Sequence, residues 1–354
     1  MEILETETTV VVLNAQPEFT AKTRERCSAD YFILCDESLA IDTKLALVAG
    51  VPVANWVARA CERKPKMLPY REGDSVLEII RPYISDADYS VVLYSNTPLV
   101  TKGHIRDLLG FVSTKRMNVC NLKKGFVFKN DYISNVDEVY SIDTYDFASK
   151  DFFEVNSIED LAEAEIYLQN RIIAYHSKKG VSFESARNLC IDASVEIGAG
   201  TMIATDVSLF GNTSIGLNVK LGENVTIKNS KIGNDVVIAD NSVVIGSIIK
   251  DGTIVRENVT IDSSAIMERV KIEKCAKVMS TKIKEGAKIA ELAQIFNARI
   301  AENVSIGIAA RVIGESIPAL VMQNAEIGAG AVVVDASIAN GNIVKSCEVR
   351  RGEA

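Results

Sequence analysis

Any chemistry this chain performs must be built almost without imidazole, because its only histidines are His104 and His176. Histidine titrates near neutrality and is the commonest metal ligand, so a histidine general base or a multi-histidine metal site has almost no candidates. Seven cysteines, Cys27, Cys35, Cys61, Cys120, Cys190, Cys275 and Cys347, are scattered without a C-x-x-C pair. Their odd number and spacing predict small buried thiols in a reducing cytoplasm, not a disulfide framework or a zinc site. The formal net charge of -8 argues against nucleic acid, whose binding requires Lys and Arg gathered against phosphates. The local cluster Lys22, Arg24 and Arg26 reads as a solvated face.

Those side chains must be positioned by an ordered framework, and the clearest part of it is a repeat. From Ile191 an aliphatic residue recurs every six positions, at Ile197, Ile203, Leu209, Ile215, Leu221 and Ile227. The beat slips by one, resumes at Ile232 and Ile238, and continues to Val312 with some steps of five. Three residues after many anchors stands Gly, Asn or Asp, as at Gly200, Asp206, Asn218 and Asn224. These types tolerate positive φ at a corner. A six-residue unit of one flat strand and one corner, three units to a coil, predicts a left-handed parallel β-helix over about 186–350. Such coils bury their apolar faces only by stacking.

Upstream, Ser157 and Asp160 form a capping-box-like start, and Leu161, Ala164, Leu168, Ile172 and Tyr175 mark one apolar helical face. Gly180 stands at the expected C-cap. One helix over 157–180 therefore joins the β-helix of 181–354 to residues 1–156. His176, near its end, is expected at the surface or facing the helix dipole. Residues 1–156 alternate apolar runs (Val10–Leu13, Ser90–Tyr94) with helical patterns (Lys44–Ala60, Lys102–Leu109), predicting an α/β domain with a parallel sheet. The N-terminus lacks a signal-peptide pattern, and the longest apolar stretch, about 45–58, is interrupted by Gly50 and Pro52. Neither a leader nor a membrane span is expected.

The segment Tyr89–Val100 with the helix from Thr101 resembles the L-Y-G-D-x-P-L unit of sugar-nucleotide nucleotidyltransferases. Phe153-Glu-Val-Asn-Ser157 resembles the V-N segment before their linker helix, and Ile227-Lys-Asn-Ser-Lys-Ile-Gly-Asn-Asp235 resembles one family's β-helix. That family is the bifunctional UDP-N-acetylglucosamine pyrophosphorylase / glucosamine-1-phosphate N-acetyltransferase. The resemblance implies a nucleotidyltransferase-like (Rossmann-like) N-terminal domain using Mg²⁺ and UTP, a β-helix using acetyl-CoA, and a homotrimer assembled through the β-helix.

Matched residue by residue, this chain departs from the family. The phosphate loop G-x-G-T-R-M falls on Gln16-Pro-Glu-Phe-Thr-Ala21, without glycines and with Glu18 where phosphate would sit. The following Pro-Lys pair falls near Arg26-Cys27. The uracil-reading segment falls on Glu72-Gly73-Asp74-Ser75. The two Mg²⁺ ligands fall on Asn96 and Asn156, two neutral amides where the ion favours carboxylates. If a nucleotide or sugar site is retained, Gln16, Glu72, Gly73, Asn96 and Asn156 are its candidates. In the β-helix the general-base histidine falls on Glu291 and a tyrosine on Gln294. A glutamate serves as a base when burial raises its pKa. The substrate-binding N-Y-D-G segment is replaced by Ile313-Gly-Glu-Ser-Ile317. The expectation is a divergent relative keeping the fold without the family's chemistry at either site. The alternatives are an active nucleotidyl or acyl transferase with another substrate, using Glu291 or Asp74, and a non-catalytic trimeric scaffold or regulatory partner.

Overall fold

The computed structural model describes residues 27–136, 145, 152–186 and 188–352. The expected strand Val10–Leu13, the basic cluster Lys22, Arg24 and Arg26, and the stretch Gln16–Ala21 lie outside them. The chain divides into two compact units between Leu168 and Gln169.

The first unit is an α/β sandwich. Its elements are β1 (Ala29–Asp36), α1 (Val53–Ala60), β2 (Lys66–Tyr70), α2 (Val76–Ile80), β3 (Tyr89–Tyr94), α3 (Lys102–Lys115), β4 (Val119–Leu122) and β5 (Gly125–Lys129). The strand order is β2-β1-β3-β5-β4. Strand β1 pairs in parallel with β2 and β3, whereas β5 is antiparallel to β3 and β4 to β5. The sheet is therefore mixed, a correction to the expected parallel one. Only Lys123 and Lys124 separate β4 from β5, and so short a connection joins antiparallel strands alone. Both faces of β1 are covered, which explains its continuous apolar run. Ile33, Val91 and Leu93 pack with Val57 of α1 and Ile105, Leu108 and Val112 of α3. Phe32, Leu34 and Val92 pack on the other side with Leu68, Ile80, Phe128 and Ile133.

Helix α4 (Ile158–Lys178) starts as its spacing predicts. The Ser157 hydroxyl accepts from the Asp160 amide at 3.1 Å, and the Asp160 carboxylate accepts from the Ser157 amide at 2.9 Å. The buried stripe runs Ala164, Leu168, Ile172, Ile173 and His176. It therefore ends on His176, four residues past Ile172, while Tyr175 is 54% exposed. This corrects the expectation of a surface histidine. Burial, then the charge of Lys179, holds the His176 imidazole below its ordinary pKa, and its Nδ1 has no hydrogen-bond partner.

The second unit is the expected left-handed parallel β-helix. Three parallel sheets run its length, with nine, ten and ten strands. Anchors stack on their equivalents one coil on, such as Ile232 on Ile249 and Ile249 on Ile266. They are wholly or almost wholly buried. Gln169 of α4 closes one end of a sheet by imitating a strand. Its side-chain oxygen accepts from the Ile191 amide at 3.0 Å and its nitrogen donates to the Ile191 carbonyl at 3.1 Å.

The five-residue steps have a structural cause. At one corner a single left-handed residue, Asn229, Gly246, Ser263, Ser280 or Asn297, replaces a longer turn. A buried hydroxyl directly follows the first four of these, at Ser230, Ser247, Ser264 and Thr281, and joins a ladder. Ser247 N donates to Ser230 Oγ, Ser264 N to Ser247 Oγ and Thr281 N to Ser264 Oγ, at 3.0, 3.0 and 3.1 Å and a separation of 17 residues each. Each of these hydroxyls also donates to a carbonyl two residues back, as Ser247 does to Ile245 at 2.7 Å. The tightened corner thus loses a residue without leaving its amide unsatisfied.

Candidate functional site

In a sheet whose first strand lies between the second and third, ligands bind beyond the strands' carboxyl ends, where the chain switches direction. Here that rim is built from the ends of β1, β2 and β3. The strand occupying this place is Ala29–Asp36, which the sequence reading did not single out. The loop leaving it is Glu37–Ala46, whereas the expected phosphate-loop stretch Gln16–Ala21 lies outside the described residues.

The loop that does leave β1 also contains no glycine. Its amides are engaged from within. Asp36 Oδ1 accepts from the Ser38 amide at 2.9 Å and from the Ser38 hydroxyl at 2.6 Å. Asp42 Oδ1 accepts from the Lys44 amide at 2.9 Å. The buried hydroxyls of Thr43 and Ser95 share a hydrogen bond of 2.8 Å, pinning the loop to the end of β3. Glu37 donates its amide to the Tyr70 carbonyl and pairs with Arg71 at 3.2 Å. A triphosphate would therefore meet carboxylates where a phosphate loop offers bare amides.

Beyond β2, Glu72 and Gly73 lie in an exposed turn closed by Arg71 and Asp74. Gly73 has φ +98°, the positive value this turn requires. Beyond β3, the structure brings Asn96 and Asn156 together. Asn96 Nδ2 donates to Asn156 Oδ1 at 2.8 Å, and the Asn96 amide carbonyl Oδ1 is buried without a partner. The nearby Asp160 carboxylate is taken up by the Asn156 and Ser157 amides, both at 2.9 Å, which hold it below the usual carboxylate range. Mg²⁺ favours carboxylates, and this pair supplies an amide bonded to an amide, so the residues present do not fit the ion. Among the described residues no group of three His, Cys, Asp or Glu side chains could hold a metal.

The rim also contains residues the sequence reading missed. Lys124 Nζ pairs with Glu154 at 3.2 Å and lies 5.6 Å from the Tyr94 ring. Tyr94 meets Tyr70 edge-on at 5.3 Å, and burial raises its phenol pKa. Only the antiparallel turn between β4 and β5 brings Lys124 to β3, and that turn was not anticipated. His104 serves its own helix: its Nδ1 accepts from the Thr101 amide and its amide donates to Thr101 Oγ1, both at 3.3 Å.

In the β-helix, Glu291 and Gln294 are exposed, and Glu291 sits at a corner beside Leu292, which has φ 59°. Within the single chain nothing buries Glu291. In the loop Gly314–Pro318 the amides are taken by Asp335, whose carboxylate accepts from Glu315 N at 2.6 Å and from Ser316 N at 3.1 Å. At the rim and in this β-helix loop alike, amides are satisfied by the chain's own aspartates.

No protein-family model matches the chain. Over 92 residues it is 38% identical to the bifunctional protein GlmU of Alkaliphilus metalliredigens, spanning 26% of this chain and 19% of that protein. It is 33% identical over 112 residues to GlmU of Thermodesulfovibrio yellowstonii, spanning 31% and 25% respectively. The aligned part therefore covers about a fifth to a quarter of the length of these relatives. Among solved structures, a UDP-N-acetylglucosamine O-acyltransferase from Moraxella catarrhalis aligns over 41% of this chain and 65% of its own, with 19% identity and a TM-score of 0.33. The fold defines a hexapeptide-repeat β-helix protein with an α/β domain ahead of it. Within that class the chain is a divergent relative of GlmU.

Proposed function

We propose that this protein keeps the scaffold of a sugar-nucleotide transferase and an affinity for a sugar nucleotide, but performs neither nucleotidyl transfer nor acetyl transfer. The observation that carries the loss of chemistry is the loop leaving β1, glycine-free and with its Ser38 and Lys44 amides taken by Asp36 and Asp42. A phosphate arriving there faces like charge, and repulsion between unit charges a few ångströms apart costs about 1–4 kcal/mol at surface-like dielectrics. The Asn96–Asn156 amide pair supports the same reading at the metal position. Exposed Glu291 supports it in the β-helix.

The protein acts as a cytoplasmic homotrimer in this reading. An outward column on one sheet, Met279 against Phe296 and Phe296 against Ile313, supports a subunit contact, with Phe296 45% exposed. No helix among the described residues is long and apolar enough to cross a membrane.

The test is thermal unfolding with UTP plus Mg²⁺, UDP-N-acetylglucosamine and acetyl-CoA in turn, followed by turnover assays with the same compounds. A ligand at ~100 times its Kd adds ~2.7 kcal/mol to the folded state. The expected result is a Mg²⁺-independent shift with UDP-N-acetylglucosamine and no turnover. Mg²⁺-dependent pyrophosphate release from UTP overturns the loss of chemistry. Silence with all three ligands at millimolar concentration overturns the sugar-nucleotide reading and leaves a scaffold.

A further inference from the structure

On the helical side of the first unit, a shallow hollow lies between α1 and the start of α3. Arg59, Arg63, Lys64 and Lys102 line it, with Glu62 as the one acid and Cys61 among the residues of its wall. Glu62 is already engaged by Arg106 at 3.6 Å. None of the four cations has an ion pair among the described residues, although the chain as a whole is acidic, with 47 Asp and Glu against 39 Lys and Arg. Arg59 instead stacks its guanidinium 4.9 Å from the ring centre of Trp56. Lys102 is the first residue of a helix of 14 residues, so the positive end of that helix's dipole adds to the same field. Four cations against one neutralised acid in a concave surface repel each other unless an anion enters, and concavity focuses that field.

We propose that this hollow is a binding site for a phosphate-type oxyanion, separate from the strand rim and independent of the sugar-nucleotide reading. Arg59 and Arg63 supply planar forks able to hold two oxygens of one phosphate each, and Lys64 and Lys102 supply point charges. Its openness suits a small, multiply charged ion, for which pyrophosphate is the probe.

Trp56 is the chain's only tryptophan and Arg59 of the hollow lies over its ring, so its emission reports an anion held at Arg59, and the charge variants below assign the response to this hollow. The full-length protein is titrated with sodium pyrophosphate, and in parallel with sodium chloride at matched ionic strength. The expected result is a saturable change in Trp56 emission with pyrophosphate alone. The exposed pair Arg63→Glu and Lys64→Glu, made together, should weaken the apparent affinity at least ~10-fold, equivalent to ~1.4 kcal/mol, with an unchanged circular dichroism spectrum. Should that double variant fail to fold, Lys102→Gln serves in its place and must also weaken the response. No saturable change at millimolar pyrophosphate overturns the site, as does an equal response to chloride. A response that persists undiminished in a folded charge variant also overturns it.

Discussion

Replacing Ser247 by alanine tests how the tightened corner of the β-helix is held. Ser247 is 1% exposed. Its Oγ accepts from the Ser264 amide at 3.0 Å and donates to the Ile245 carbonyl at 2.7 Å. The Ser247→Ala change removes only one oxygen, so packing loss is small. It leaves the Ser264 amide buried with no acceptor, and an unsatisfied buried donor costs about 1–3 kcal/mol. Ser247→Thr keeps the hydroxyl, and threonine already occupies the same ladder at Thr281, whose Oγ1 accepts from the Ala298 amide at 3.3 Å. That change keeps the acceptor, so its only cost is fitting one more methyl group, about 1–3 kcal/mol where the core is full. The assay is urea unfolding at one fixed protein concentration, comparing midpoints at equal slope. A cost for alanine below about 0.5 kcal/mol, the range of ordinary surface substitutions, would refute the view that the hydroxyl satisfies the corner.

Leu292 occupies a left-handed backbone position with its side chain 54% exposed. Leu292→Asn should raise stability by about 1 kcal/mol in the same assay, because a left-handed conformation costs a leucine about 1–2 kcal/mol that asparagine largely avoids. Buried His176 has a folded pKa below its unfolded value of 6.5. The unfolded chain therefore binds more protons there, so this residue's contribution is constant above pH 6.5 and is lost as pH falls from 6.5 toward the folded value. Urea midpoints measured across that window should fall with acid, and His176→Phe should flatten the fall. Asn96→Asp restores a carboxylate opposite Asn156. Millimolar Mg²⁺ should raise the melting temperature of this variant while leaving the natural chain unmoved, and an equal response in both would contradict the misfit described above.

The β-helix was legible in the sequence because its signal is local and repeated. An inward aliphatic residue every six positions and a left-handed corner leave marks at every coil. Even the slip after Ile227 was visible as a change of beat, although its cause, the single-residue corner and hydroxyl ladder, depends on partners 17 residues away. The first unit was harder. Strand β3 was legible at Ser90–Tyr94 because it is buried on both faces, yet β1 was missed although its burial is similar. Asn96 and Asn156 were named separately on a resemblance, and only the fold sets one against the other. Lys124 carries no signal in the chain, since its place at the rim depends on the antiparallel turn. His176 was misassigned because Tyr175 and His176 fit the same helical stripe nearly equally, and one residue decides which is buried.

The hydroxyl ladder also makes the length of this region quantised. Removing 17 consecutive residues, such as 247–263, takes away one rung and joins Gly246 to Ser264, so every remaining side chain keeps its face and its neighbours keep their register. Removing 16 or 18 there rotates each later inward side chain out of place. In this part of the molecule, change by whole coils is therefore gentler than change by single residues, and mutation by small deletion is confined to the corners.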